Sequence, residues 1–397
     1  MKKQSILFLQ PTFDSNGPRN IRTANLLRYL KDDFKITVLC FEVKDEYRQI
    51  EGVEVIRLPM NWVNKFFLFK DSIGYKPMKI MLLFNKAISL LIRKLLVIDG
   101  FILEKSKIIN VLANRDFDFV VASMKPESMG EIALKLKRKG TNVDKVIFDI
   151  GDPLSNNSAN NLNKLSELIY KFIESKMLKK ADAIIVTNSY TKKYYTDEFS
   201  INEQRIHIIP QGVDLNLIQD DESPCYKEET SMIYAGGFYP RLRDSAQFVK
   251  AVNHLDRERL TIKFYGSSDL NFEVTNTKII QKGKVGQDFL FKEFAKANVI
   301  LYFDNAYGIQ TSGKIFEILA LNKPILFLYS NEESPVYMEH KSNKSILFVK
   351  NDFREICECL SNIESLLERI PSSLNDAEQY SWSSRAEVLK KVIYQIS

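Results

Sequence analysis

At 397 residues the chain is longer than one small domain, since about 100–200 residues make a domain. With 45% hydrophobic and 27% charged residues and only 15 glycines and 12 prolines, it is neither fibrous nor of low complexity. The four cysteines, Cys40, Cys225, Cys357 and Cys359, are too scattered for a disulfide framework and fit a reducing cytoplasm.

The first ten residues begin with two lysines, but their apolar run is shorter than a signal-peptide core and reads as a first buried strand. From there, apolar runs of strand length alternate with helical patterns, which predicts parallel sheets built from βα units. In the first half the runs Ser5–Gln10, Lys35–Cys40, Val53–Leu58, Phe117–Ala122, Lys145–Phe148 and Ala183–Thr187 read as strands. Asn20–Leu30, Met129–Arg138 and Leu162–Lys180 read as helices, and Ile206–Pro210 closes this half.

The formal charge of +6 is concentrated in one place. Residues 61–111 hold nine bases against three acids, the whole excess of the protein. Lys79, Lys86 and Arg93 recur every seven residues, which stacks them on one side of a predicted helix whose other sides are apolar. Three bases within it argue against a spanning helix, because each central charge costs about 2.5–3.5 kcal/mol. Two readings stay open: a solvated basic side of a packed helix, or a basic amphipathic helix on an anionic membrane surface. Nucleic acid is not expected, since no recognition motif accompanies the charge.

A polar segment, Asp214–Thr230, reads as a linker. Beyond it a second series has strands at Ser231–Ala235, Leu260–Tyr265, Lys278–Gln281, Val299–Phe303, Pro324–Leu328 and Ile346–Val349. Helices are expected at Asp244–Asn253, Gln287–Ala297, Ser312–Leu321, Phe353–Glu368 and Ser383–Ile396. The pattern gives an α/β protein of two Rossmann-like domains: residues 1–212, a linker at 213–230, and residues 231–377. In such an arrangement a cleft is expected between the carboxyl ends of the two sheets, where open α/β proteins bind ligands.

The dinucleotide, Walker, zincin and serine-hydrolase motifs are absent, and His207, His254 and His340 are far apart, so no metal site is expected. What remains is a pair of loops. In Tyr234–Arg243 a strand ends at Gly236–Gly237, which lets a ligand approach the backbone, and Arg243 can take a phosphate bidentately. Alone this is equally a plain β-to-α turn. In Gln310–Glu317 the residues Thr311, Ser312 and Gly313 would open a helix with free amides facing an anion. Lys314 sits where the helix dipole disfavours a cation, which an anionic ligand would explain. Glu317, one turn on, would either accept hydrogen bonds from two ribose hydroxyls or cap the helix backbone.

Together these loops resemble the retaining GT-B glycosyltransferases often called family 4. Ala181–Asn188, Ile208–Asp214, Tyr234–Arg243, Ser312–Glu317 with Pro324, and Tyr380–Trp382 carry the resemblance. It implies a GT-B fold whose last segment, residues 378–397, crosses back to the first domain. It implies that Gly236, Gly237, Arg243, Thr311, Ser312, Gly313, Lys314 and Glu317 bind a nucleotide-sugar donor, and that Gly283–Val285 receive the base. Gly17, in the loop Ser15–Arg19, would abut donor and acceptor, although that loop also reads as a mere β-to-α connection. In Asp149–Pro153, Asp152 rather than Asp149 would orient or deprotonate the acceptor hydroxyl; the alternative is a turn former before Pro153.

The chain departs from the family pattern where Ile309 replaces the first of two glutamates and Phe238 replaces a basic residue, so no donor sugar is assigned. The resemblance implies sugar transfer to a glycan or lipid-linked hydroxyl in bacterial envelope polysaccharide synthesis, without a metal or other cofactor. The expected location is the cytoplasm, at the inner membrane face through residues 61–111. The alternatives are a nucleotide-sugar epimerase of the same fold and a non-catalytic relative that binds a membrane surface.

Overall fold

The structure is a computed structural model that describes residues 3–14, 17–42, 47–61, 99–137, 143–156, 164–223, 225, 228–239, 242–267, 270–370 and 376–397. The predicted basic helix with Lys79, Lys86 and Arg93 lies outside the described residues, as do Ser15 and Asn16 of the first loop. The chain divides into two compact units, residues 1–210 with 385–397, and residues 211–384.

Unit 1 is a parallel sheet of seven described strands: β1 (Ser5–Leu9), β2 (Lys35–Phe41), β3 (Val53–Leu58), β4 (Phe117–Ser123), β5 (Val143–Asp149), β6 (Ala183–Val186) and β7 (Ile206–Ile208). Their spatial order is β3-β2-β1-β4-β5-β6-β7. The strands are nearly continuous runs of Ile, Val, Leu and Phe because helices cover both faces of such a sheet. These helices are α1 (Pro18–Leu30), α2 (Lys105–Leu112), α3 (Ser128–Leu136), α4 (Lys164–Leu178) and α5 (Ser189–Phe199). α1 starts where Pro18 supplies a preset φ and lacks only an amide that would have gone unbonded. α5 starts where the Asn188 side chain accepts from the Thr191 amide at 2.7 Å.

Unit 2 is a second parallel sheet, of β8 (Thr230–Ala235), β9 (Leu260–Tyr265), β10 (Lys278–Lys282), β11 (Val299–Phe303), β12 (Ile325–Tyr329) and β13 (Ile346–Lys350). Its order is β10-β9-β8-β11-β12-β13. Alternate residues of β8, β11 and β12 feed two separate cores. Ile233, Ile300 and Phe327 pack on one face, and Met232, Leu301 and Leu328 on the other. The helices are α6 (Ala246–Leu255), α7 (Gln287–Ala295), α8 (Lys314–Ala320), α9 (Pro335–His340), α10 (Phe353–Ser361) and α11 (Ile363–Leu367). A final helix, α12 (Trp382–Ile396), runs from unit 2 into unit 1.

Three expectations are corrected here. The helix expected over Phe353–Glu368 is two helices, because Asn362 leaves helical geometry at φ −111° and ψ 14° and its side chain bonds the Glu358 carbonyl at 2.9 Å. The helix expected over Ser312–Leu321 is shorter: it begins at Lys314 and ends before Asn322, whose φ of 53° is left-handed. The polar segment Asp214–Thr230 is not a free linker. Its Asp221 carboxylate takes a 2.7 Å hydrogen bond from the buried Lys323, and its Glu222 amide bonds the Ala295 carbonyl at 2.9 Å. Desolvating Lys323 is offset by two further carbonyl partners, Ala295 and Ala297.

In both sheets the first strand lies beside the fourth, so the crossovers diverge on either side of that pair. The loops at the carboxyl ends beside this point form the crevice where open α/β sheets take ligands. In unit 1 they follow β1 and β4; in unit 2 they follow β8 and β11.

Candidate functional site

In unit 2 the two loops singled out in the sequence meet at that crevice. The loop after β8 is tightened by paired backbone hydrogen bonds between Tyr239 and Arg243 at 2.8 and 3.2 Å. It is tied to the loop after β11 by Ala306 N donating to the Leu242 carbonyl at 2.7 Å. Arg243 is thereby presented beside Asn305, whose Oδ1 accepts from Arg243 Nη2 at 2.8 Å. Arg243 Nε is enclosed and makes no hydrogen bond. A buried donor of this kind is costly unless something bonds it, and a phosphoryl oxygen is the acceptor a guanidinium fits best.

Gly236 and Gly237 lie at the end of β8. A side chain on Gly266, after β9, would overlap the Gly236 carbonyl oxygen at 1.7 Å, so a glycine is required there for the two loops to lie together. Phe238 follows Gly237 in the same loop. It stacks on Tyr234 with centroids 4.6 Å apart and meets Phe303 edge-on at 4.9 Å, which anchors the loop in the aromatic core.

Across the switch point, Lys314 Nζ donates to the Ala235 carbonyl at 2.7 Å. Burial pushes its ammonium below the ordinary value, with Glu317 opposing and the Arg243 charge adding to the shift. The helix opening differs from the expectation in detail. Ile315 and Phe316 amides bond the Ser312 and Gly313 carbonyls at 3.1 and 3.2 Å, whereas the amides of Thr311, Ser312 and Gly313 donate no hydrogen bond to a described residue. Thr311 Oγ1 is enclosed without a partner, as is the Tyr302 hydroxyl, whose pKa burial raises.

α8 has no side-chain cap at Gly313, and among the described residues the Glu317 carboxylate makes no hydrogen bond or ion pair. Burial pushes it up to about 7, with the Lys314 charge opposing. A second acid, Asp304, is pushed up to about 6 by burial while accepting from Ser334 and from the Asn305 amide. The arrangement therefore offers two cations, free amides and a carboxylate open to partners. It can hold a polyanion beside a group with paired hydroxyls. No hydrogen bond or ion pair joins Gly283–Val285, after the edge strand β10, to Arg243, Lys314 or Glu317. Asn305 and Asp304 were not singled out from the sequence; their signal was the polar Asp-Asn pair directly after the apolar run of β11.

In unit 1, Gly17 precedes α1 in extended conformation, φ −70° and ψ 151°. Asp149 ends β5 buried against Arg22, with Nε and Nη2 donating at 3.0 and 3.2 Å. Burial alone would raise its pKa, but Arg22 and Arg19 hold it below the usual carboxylate range. Its lone pairs are committed to this pair. Asp152, three residues on, is 42% exposed, with Lys125 Nζ at 3.9 Å. The loop that carries it is clamped by the buried Glu174, which accepts from the Leu154 and Ser155 amides at 2.7 and 2.9 Å and from the Tyr195 hydroxyl at 2.7 Å.

Among the described residues no group of three or more His, Cys, Asp or Glu is placed to hold a metal ion, and no helix is long and apolar enough to cross a membrane.

Residues 99–217 match the family described as Glycosyltransferase Family 4. No curated protein sequence matches the chain. Among solved structures, sucrose-phosphate synthase from Thermosynechococcus elongatus is similar at a TM-score of 0.68 and 13% identity, covering 99% of both chains. HepE from Anabaena, in complex with UDP and glucose, is similar at 0.60 and 12%, covering 99% of this chain and 100% of its own. A UDP-N-acetylglucosamine 2-epimerase is similar at 0.57 and 13%, covering 100% of this chain and 96% of its own. At these identities the likeness is one of fold. The chain has the GT-B fold of these structures, and residues 99–217 match the Glycosyltransferase Family 4 model.

Proposed function

We propose that the protein is a retaining glycosyltransferase that moves a sugar from a nucleotide donor to a hydroxyl of a glycan or lipid-linked acceptor in bacterial envelope polysaccharide synthesis. One observation carries the reading. Arg243 and Lys314 come from different loops to the crevice of the second sheet, and an unpartnered carboxylate, Glu317, stands one turn along. Arg243 and Lys314 take the charge that builds on the departing nucleoside diphosphate, the work a metal ion does elsewhere. Gly236, Gly237 and the amides of Thr311–Gly313 lie against the donor, and Glu317 fastens the ribose. Gly17 belongs to the same donor set. Asp152, exposed where Asp149 is locked, serves the acceptor hydroxyl. The leaving phosphate assists that hydroxyl on its own face, which keeps the anomeric configuration. Residues 61–111 bring the protein to the anionic inner membrane face.

The test is incubation with a panel of nucleotide sugars, UDP sugars first because HepE was solved with UDP and glucose, with and without glycan and polyprenyl-linked acceptors. The expected result is nucleoside diphosphate release that requires an acceptor, persists in EDTA and gives a product of retained configuration. Conversion of the donor with no acceptor present would instead establish epimerisation. Of the three histidines, none lies on a carboxyl-end loop: His207 is on β7, His254 on α6 and His340 on α9. Epimerisation would therefore fall to Asp304 or Glu317.

A further inference from the structure

Unit 1 contains a cation that its own fold does not use up. Arg19 and Arg22 both face Asp149, yet they differ. Arg22 is 2% exposed and spends its N–H groups on Asp149 and on the carbonyls of Ile209 and Pro210, at 2.9 and 2.8 Å. It holds the end of β7 to the end of β5. Arg19 approaches Asp149 with Nη1 at 3.3 Å, and among the described residues that enclosed atom has no well-formed hydrogen bond. Nη1 is enclosed, Nε and Nη2 pass over Gly151, and 24% of the side chain remains exposed. Burial lowers its pKa, with Asp149 opposing, so the guanidinium is held partly desolvated.

The surroundings are built to hold this group. A side chain on Gly151 would lie 1.8 Å from Arg19 Nη2 and 3.0 Å from Nε, so the glycine makes room for the guanidinium plane. Gly151 is fixed in turn by Thr187 Oγ1, which donates to its carbonyl at 3.1 Å. At this point two guanidinium groups, Arg19 and Arg22, face the one carboxylate of Asp149. The surplus charge stands on the Nε/Nη2 edge, the edge that takes two oxygens of one anion at once. It lies at the carboxyl ends of β1 and β5, beside the switch point of the first sheet.

We propose that Arg19, seated on Gly151, is an oxyanion-binding residue of unit 1 that grips a phosphoryl group of a substrate through its Nε and Nη2 edge. The residues that carry it all belong to unit 1, and it does not depend on Arg243 and Lys314 binding a donor. The phosphoryl group belongs either to a phosphorylated acceptor or to the donor, and the test separates the two.

The experiment is calorimetric titration of the full chain with inorganic phosphate and, separately, with UDP. It uses the wild type, Arg19→Gln, Arg19→Lys, Gly151→Ala and the double variant Arg243→Ala/Lys314→Ala, each checked by its melting curve. The double variant is expected to keep a phosphate site. Arg19→Gln should weaken that site about tenfold or more, as losing a charged hydrogen-bonding partner does. Arg19→Lys should lose the two-point grip while Asp149 stays paired with Arg22. Gly151→Ala should weaken it by displacing an intact arginine. If Arg19→Gln lowers UDP affinity as much as phosphate affinity, the bound group is the donor's; if UDP affinity is unchanged, it is the acceptor's. Phosphate binding that vanishes altogether in the double variant, or that is unweakened when Arg19→Gln is added to the double variant, overturns the proposal.

Discussion

Arg243→Ala is expected to lower kcat/KM with the cognate donor by about two to three orders of magnitude, the scale on which removing one preorganised donor to a developing negative charge acts. The unit should stay folded. Among the described residues the Arg243 side chain gives one hydrogen bond, to Asn305, and leaves Nε unbonded, so little of the fold rests on that side chain. The loss should divide between KM and kcat, because the cation binds the ground-state diphosphate and binds the leaving group more strongly as charge accumulates. Lys314→Ala should act in the same direction. That variant also removes the tie to the Ala235 carbonyl, so its melting temperature needs checking alongside its activity. Donor turnover unchanged in Arg243→Ala would show that the loop after β8 holds no phosphate.

Glu317→Gln is expected to separate function from stability. The folded carboxyl sits at about 7, above the ordinary 4.5, because burial disfavours its charged form. A carboxyl raised in this way favours the folded state below about 4.5, and that advantage is lost as pH rises towards 7. Above 7 the fold carries the cost of a desolvated carboxylate. The neutral glutamine carries no such cost. Glu317→Gln should therefore melt a few degrees higher than the wild type at pH 8 and about equally at pH 4. Donor affinity should move the other way. The ionised carboxylate accepts from both ribose hydroxyls, so UDP should bind the wild type more tightly as pH rises through about 7. The variant should bind about tenfold more weakly, with a flat profile over that range. Thermal melts and calorimetry on the same two proteins read both effects. Equal melting at pH 8 together with unaltered UDP affinity would mean that the carboxylate neither suffers from burial nor serves a ligand.

The two-sheet fold could be read from the sequence because each β strand is a short apolar run bounded by polar loops. In such a sheet the hydrophobic pattern and the strand length coincide. Breaks within helices were less visible. Asn362 divides α10 from α11 through a local side-chain bond, and nothing in the periodicity of Phe353–Glu368 announces it. The site was legible where chemistry and sequence spacing agree, as in Ser312–Glu317, where a loop, a cation and a carboxylate follow within one turn. It was not legible where partners come from distant loops. Asn305 meets Arg243 across 62 positions, and Gly151 meets Arg19 across more than a hundred; only the order of the strands brings them together. Phe238, where the family pattern has a basic residue, packs on Tyr234 and Phe303, contacts that its place in the sequence does not announce.

The most direct measurement is a crystal structure of the protein with a bound nucleoside diphosphate. The account predicts phosphate oxygens within hydrogen-bonding distance of Arg243, Lys314 and the amides of Thr311–Gly313, with both ribose hydroxyls on the Glu317 carboxylate. A nucleotide bound elsewhere on the chain, or one that leaves Arg243 on Asn305 and Glu317 without a partner, would contradict it.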